Sequence, residues 1–353
     1  MGSVKLSFRA KLVWMLLPAL LGLLVCSAIL LRDNYSKAVE ARNLSVLIKL
    51  TERNGDLAHE LQKERGLTAG FLASKGEKFS AELGKQRQAV DKEIAEIKTA
   101  FGHDSAILEL GNLKSDVDGL LASLGKLDKI RENIGTFGIS PDEGIGFFTN
   151  TIDQIITVNE KVIFYSRDDE LTQWLMAYTS LMRSKEQNGK LRALVNKVFS
   201  VDKLDDAGYA KIKFEQGSQF VFLSTFRKFA SKEMLDINNE NNNSEYVREI
   251  GAMLKILDEK ATQGGFGVSP ERWFKSMTEL LDSQMDAEDK QAGFIGKKSV
   301  EHAGEAWNLF MLYLAISLAA LIASGTIGFL VTRGIVRQLG GEPAYAAEVM
   351  ARI

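Results

Sequence analysis

Two arginines stand where their helices call for apolar side chains. Leu57, Leu61, Thr68 and Leu72 recur at spacings of three and four, and Arg65 falls in the same stripe. Leu181, Lys185, Gly189, Arg192, Val195 and Phe199 fall near one face of a second segment, so Arg192 is also set among apolar neighbours. An uncompensated buried charge costs on the order of several kcal/mol. Each guanidinium therefore needs a carboxylate, backbone carbonyls or a bound anion. Its planar fork of donors matches two oxygens at once, so two such arginines on separate helices suit a small oxyanion. Gly66 follows Arg65, and Gly189 lies about one turn before Arg192. Gly66 and Gly70 allow a close approach by a neighbouring helix or a ligand. Glu64 and Glu186 are the nearby carboxylates, although Glu64 points about 100° away from Arg65 around its helix. The candidate ligand-binding set is Arg65, Arg192, Glu64, Glu186, Gly66 and Gly189. The competing reading is structural, with Arg65 and Arg192 held in ion pairs by Glu64 and Glu186. Lys185, Arg227 and Arg272 are weaker candidates, and the alternative for each is a solvated helix face.

Other chemistries find no support in the residues. His59, His103 and His302 are scattered, without an HExxH pair or a Cys/His cluster, so no metal site and no cofactor is expected. The single cysteine, Cys26, lies in an apolar run, which leaves the central region without disulfides or thiol chemistry. No nucleophile elbow or phosphate loop is present, and an enzyme is not expected. A net charge of -2 gives no mark of a nucleic-acid binder.

The elements that must position the arginines are helices. Helical periodicity runs through about 35–75, 80–125, 141–166, 169–200, 205–235, 244–262 and 270–308, and strand-like alternation is scarce. Asp236 to Ser244 reads as a polar loop. Phe137-Gly138-Ile139-Ser140-Pro141-Asp142 matches Phe266-Gly267-Val268-Ser269-Pro270-Glu271. The match continues at the same offset at Thr149/Thr278, Asp153/Asp282 and Lys161/Lys290. Ser, Pro and an acid in succession read as the N-cap, first residue and first turn of a helix. With only two copies, a duplicated bundle is expected rather than a solenoid.

Leu12–Leu31 and Leu309–Val331 carry no formal charge, and each is long enough to span a bilayer. Lys5, Arg9 and Lys11 precede the first run, while Arg333 and Arg337 follow the second. Asp33, Glu301 and Glu305 lie on the opposite flanks. The positive-inside rule puts both ends in the cytoplasm and residues 32–308 outside an inner (plasma) membrane. The first run exceeds the roughly 7–15 residues of a signal-peptide core, which favours a retained anchor. The expected fold is all-α, with two transmembrane helices flanking an extracytoplasmic domain of two helical bundles. The expected divisions are 1–11 cytoplasmic, 12–31 spanning, 32–308 sensor-like, 309–331 spanning and 332–353 a linker.

His59-Glu60-Leu61-Gln62-Lys63-Glu64-Arg65-Gly66-Leu67-Thr68-Ala69-Gly70-Phe71-Leu72 strongly resembles the opening motif of the NIT family, the nitrate- and nitrite-sensing domain. Lys185-Glu186-Gln187-Asn188-Gly189-Lys190-Leu191-Arg192-Ala193 resembles its second motif, with Leu191 where that family usually has Glu. The resemblance covers roughly residues 50–290. It implies a fold of two helical bundles with arginines binding nitrate or nitrite between helices, and Arg65 and Arg192 match the motif positions. Arg333 to Ala344 resembles the start of a HAMP linker of methyl-accepting chemotaxis receptors. That likeness implies a homodimer, the N-terminal part of a longer receptor, and cytoplasmic signalling proteins as partners.

The leading expectation is a chemoreceptor region that senses a small anion, nitrate or nitrite, and signals by helix displacement to HAMP. One alternative keeps the topology and takes an organic acid as ligand, with a kinase or cyclase as output. Another is a ligand-free structural or protein-interaction module.

Overall fold

The computed structural model describes residues 8–103, 113–240 and 244–338. Among these residues the chain is helical and contains no strand. The helices are α1 (Phe8–Ala73), α2 (Ser80–His103), α3 (Lys114–Leu124), α4 (Leu127–Gly135) and α5 (Pro141–Ile163), followed by α6 (Asp169–Val201), α7 (Asp206–Phe229), α8 (Lys232–Asn239), α9 (Glu245–Glu259) and α10 (Pro270–Gln338). The chain divides into two compact units. One comprises the described residues up to Ala41 and from Glu301 onward, the other Arg42–Val300.

In the first unit, α1 and α10 each carry a stretch long and apolar enough to cross a membrane, and no part of either stretch is buried within the protein. Exposed Trp14, Leu21, Ile29, Ile316, Ile322 and Phe329 form part of that surface. Such a surface is stable in hydrocarbon and a liability in water. The Tyr35 and Phe310 rings meet at 5.5 Å, which ties the two helices together within this unit. Pro18 lies inside α1 without ending it, as membrane helices tolerate.

The Arg42–Val300 unit has two buried apolar clusters. Leu47, Leu57, Leu61, Phe148, Ile155 and Leu175 belong to the first, which draws on α1 to α6 and is completed by Phe226 of α7, Met234 of α8 and Ala292 and Ile295 of α10. Leu191, Val195, Phe199, Leu257, Trp273 and Met277 belong to the second, which draws on α6, α7, α9 and α10. Helix α6 serves both, its first half lining one cluster and its second half the other. The Ser-Pro-acid phrases do start helices. Ser140 accepts from the Glu143 N–H and Ser269 from the Arg272 N–H, each at 3.2 Å, at the heads of α5 and α10. Helix α6 is capped by Asp168, whose side chain accepts from the Leu171 N–H at 2.9 Å.

At the far end of α6, Asp202 adopts a left-handed conformation with φ 54°. Its carboxylate accepts from the Phe266 N–H at 2.7 Å, tying α6 to the approach to α10. A Cβ at Gly264, where φ is +70°, would lie 2.8 Å from the Asp202 carbonyl oxygen, so glycine is required there.

Three boundaries differ from the periodicity. The 80–125 pattern is interrupted at Leu113, which is not helical and directly precedes α3. The 205–235 pattern breaks at Ala230, whose backbone is extended, and Ser231 caps the new helix by accepting from Met234. A side-chain cap satisfies an orphan N–H without any glycine or proline to announce the break. Asp236 to Asn239, read as loop, is the end of α8, because Ile237 and Met234 share an amphipathic turn with Ser231 at its head. The HAMP-like residues from Leu339 onward lie outside the described residues.

Candidate functional site

Arg65 on α1 and Arg192 on α6 are both buried, at 6% and 7% exposure. Their neighbours in the two stripes, Leu57, Leu61, Thr68, Leu181, Lys185 and Val195, are buried as well. The helical spacing therefore placed both guanidiniums correctly in the interior. The two side chains cross. A Cβ added at Gly66 would lie 2.7 Å from Nη2 of Arg192, and one added at Gly189 would lie 2.9 Å from Nη2 of Arg65. Each guanidinium thus lies over the other helix's glycine, and Arg65, Gly66, Gly189 and Arg192 form one site.

The partners divide unequally. Arg65 donates from Nη1 to Oε1 of Glu186 at 2.6 Å and from Nη2 to Oε2 at 3.0 Å. Gln62, one turn earlier on α1, donates to Oε2 of Glu186 at 2.9 Å. Arg65 also donates to the Thr149 hydroxyl on α5 at 3.0 Å. Arg192 donates from Nη1 to the Thr278 hydroxyl on α10 at 3.0 Å, and its guanidinium lies 4.7 Å from the centre of the Phe274 ring. No carboxylate pairs with Arg192 among the described residues. Burial and then the charge of Arg65 push the Arg192 pKa down to about 10, so it stays protonated at neutral pH.

Thr149 and Thr278 hold their arginines in the same way. Each donates its own hydroxyl proton to the carbonyl one turn back, Ile145 at 3.0 Å and Phe274 at 2.7 Å. That leaves each oxygen free to accept from arginine. Sequence reasoning matched these two threonines as repeat positions but did not assign them to the site. The usable signal was that a hydroxyl recurs at the same place in both copies. The Trp273 indole N–H donates to the Arg192 carbonyl at 3.0 Å, fixing α6 against α10 beside the site.

Glu64 is not in this cluster. Fully buried on the other side of α1, it receives Arg131 Nε at 2.8 Å and Nη2 at 2.7 Å. Arg87 is 3.6 Å from it, and Arg131 also reaches Asp91 at 2.5 Å. Its carboxylate therefore serves a separate network joining α1, α2 and α4.

Next to Glu186 in the chain, Lys185 is almost wholly buried and pairs with Glu288 at 2.5 Å. The α10 carboxylate explains its burial, which a solvated-face reading excludes. His59 is kept neutral, its pKa pushed down to about 2 by burial and then by the charges of Lys185, Lys63 and Arg192. Arg227 and Arg272 are exposed, and Arg272 pairs with Glu249 at 2.5 Å on the surface. Neither joins the arginine cluster. No group of side chains suited to a metal ion is found among the described residues.

Residues 56–295 match the family model described as nitrate and nitrite sensing, NIT. The chain belongs to the NIT family. The match spans α1 from Asp56 to the middle of α10 and so contains every residue of the arginine cluster. A solved structure titled "Structure of the NasR transcription antiterminator" shares the NIT chain's fold, with a TM-score of 0.69 and 19% sequence identity. The likeness covers 87% of this chain and 85% of that one. A comparison with curated protein sequences finds no match. The family points to a sensing module.

Proposed function

We propose that this chain is the sensor region of a transmembrane receptor that binds nitrate or nitrite between Arg65 and Arg192. The observation that carries the reading is Arg192: a buried, protonated guanidinium facing a second one, with a hydroxyl and an aromatic ring for partners and no carboxylate. A flat monovalent oxyanion supplies the missing charge and accepts from both donor forks. Thr149 and Thr278 hold the arginines in place. This is a binding module with no catalytic step.

The ligand would touch α1 through Arg65, α6 through Arg192, and α10 through the Thr278 side that holds Arg192. Helices α1 and α10 each continue into an apolar segment. Binding that favours one setting of α10 against α1 would shift the balance between two states, by no more than the difference in affinity for them. The charge flanks support an extracytoplasmic sensor with both ends in the cytoplasm. The HAMP-like sequence supports a homodimeric chemoreceptor with a cytoplasmic output. That output is proposed on the sequence likeness alone, since the NasR antiterminator shows that a similar fold occurs in a protein of another description.

Calorimetric titration of nitrate into the detergent-solubilised chain tests the reading. Arg65→Ala should abolish binding, and unchanged nitrate affinity in that variant would sink the site assignment. A thermal-shift series with nitrate, nitrite, acetate and larger organic acids separates the anion classes, because a bound ligand raises the melting temperature.

A further inference from the structure

The arginine cluster contains a built-in counter-ion, and its presence fixes the charge of what can enter. Glu186 is 1% exposed and all its hydrogen-bonding capacity is directed inward, Oε1 to Arg65 and Oε2 to Arg65 and Gln62. Lys185 and Glu288 form a closed pair at 2.5 Å, and His59 is held neutral by burial. Glu215 on α7 is also buried and interacts electrostatically with Arg65 and Glu186, with Lys190 and Lys211 as the larger opposing charges, but among the described residues no ion pair joins it to either arginine. Asp282, the remaining acid that acts on Arg192, is exposed to solvent. Among the described residues, the charged groups bonded within the arginine cluster are therefore Arg65 and Arg192 against Glu186, one positive charge in excess.

Resting on the proposed anion site, we infer that Glu186 is the residue that sets valence selectivity, admitting a monovalent oxyanion and rejecting a divalent one. A monovalent anion brings the buried set to neutrality. A dianion such as sulfate leaves it one unit negative in a medium where unpaired charge is costly. Sulfate also loses far more hydration on entry. Shape alone does not achieve this rejection, because both anions present oxygens to the same donor forks. Glu186 acts through Arg65 and is a positioning and specificity residue, one half of a bidentate pair 121 positions apart in the chain.

The test is calorimetry of the detergent-solubilised chain with nitrate and with sulfate at one ionic strength. The variants are Glu186→Gln and the double variant Arg65→Gln/Glu186→Gln. Glutamine keeps the shape and removes the charge, so the buried excess rises to two in the single variant and returns to one in the double. The wild-type chain is expected to bind nitrate and not sulfate. In Glu186→Gln the preference for nitrate over sulfate should fall by about tenfold or more. The double variant, freed of the unpaired Glu186 charge that Arg65→Ala alone leaves behind, should bind nitrate weakly and again reject sulfate. A Glu186→Gln chain that keeps the wild-type preference overturns the inference while leaving the nitrate site standing. A wild-type chain that binds neither anion removes the site itself. If Glu186→Gln fails to fold, the double variant decides alone, and sulfate binding by it overturns the inference.

Discussion

Arg65 and Arg192 sit in two copies of one helical pattern, each bonded to the threonine at the matching repeat position, yet their surroundings differ in charge. Arg65 meets a bidentate carboxylate and Arg192 meets a hydroxyl and the face of a phenyl ring. The modules around them differ in the same sense. In the first, Glu64 is fully buried and locked to Arg131. In the second, the corresponding motif position is Leu191, 4% exposed in an apolar cluster with Val195, Phe199 and Trp273. The two copies share the arginine–threonine arrangement, while a buried ion pair in one stands where the other has apolar packing. The first module is thus tied together by ion pairs, and among the described residues the second leaves one cation without a carboxylate.

The largest effect expected is from removing a lock of the first module. Arg131→Ala strips the buried Glu64 of its bidentate partner and leaves only Arg87 nearby, which should cost about 3–5 kcal/mol in chemical denaturation. A loss below about 1 kcal/mol would show that Glu64 is not held in this way. Leu191→Glu exchanges the modules' residues and should cost a similar amount, about 3–5 kcal/mol, because no cation waits in that apolar cluster. Retained stability in that variant would break the contrast between the two modules.

The arginines themselves sharpen the comparison further. Arg65→Met leaves Glu186 without its bidentate partner and should destabilise the chain. Arg192→Met removes a charge that burial and Arg65 both disfavour, and should be neutral or stabilising by about 1–4 kcal/mol in the absence of anion. Equal losses from the two substitutions would show that the arginines are equivalent.

A smaller effect concerns pH. Asp56 on α1 is raised from its ordinary 3.8 to about 7, by burial first and then by Asp289, Glu93 and Glu52, against the single opposing charge of Lys185. The folded chain therefore binds more protons than the unfolded one between these values. Its contribution is complete below pH 3.8 and is lost as pH rises through about 7. Asp56→Asn should flatten the fall in melting temperature between about pH 5 and 8. His59 has the opposite sign, since its lowered pKa costs stability as pH falls below 6.5. An unaltered pH profile in Asp56→Asn would show that this carboxyl titrates normally. The smallest effect is at Arg272, whose ion pair with Glu249 is on the surface. Arg272→Ala should leave both melting temperature and nitrate affinity unchanged.

The interior location of Arg65 and Arg192 was legible because a helix of fixed period assigns every residue to a face. The caps at Ser140 and Ser269 were legible because Ser-Pro-acid is a local signal. The choice of partner was not. Glu64 and Glu186 are each near an arginine in sequence, but the chain joins Arg65 to Glu186 across 121 positions and Glu64 to Arg131 across 67. Such pairings are decided by which helices meet, and periodicity on one helix does not report its neighbour. The helix break at Ala230 was hidden for a related reason, since a lone serine cap is common in sequences and ends a helix only where packing selects it. Thr149 and Thr278 were visible as a repeated pair, and their chemistry emerged once the arginines were seen to reach them.

The most direct test of the central claim, that the guanidinium without a carboxylate is what recruits the anion, is calorimetric titration of nitrate into the detergent-solubilised Arg192→Gln chain beside the wild type. Loss of a charge-assisted donor pair should weaken nitrate binding by roughly 100-fold with the fold intact by circular dichroism. Wild-type nitrate affinity in Arg192→Gln would contradict it.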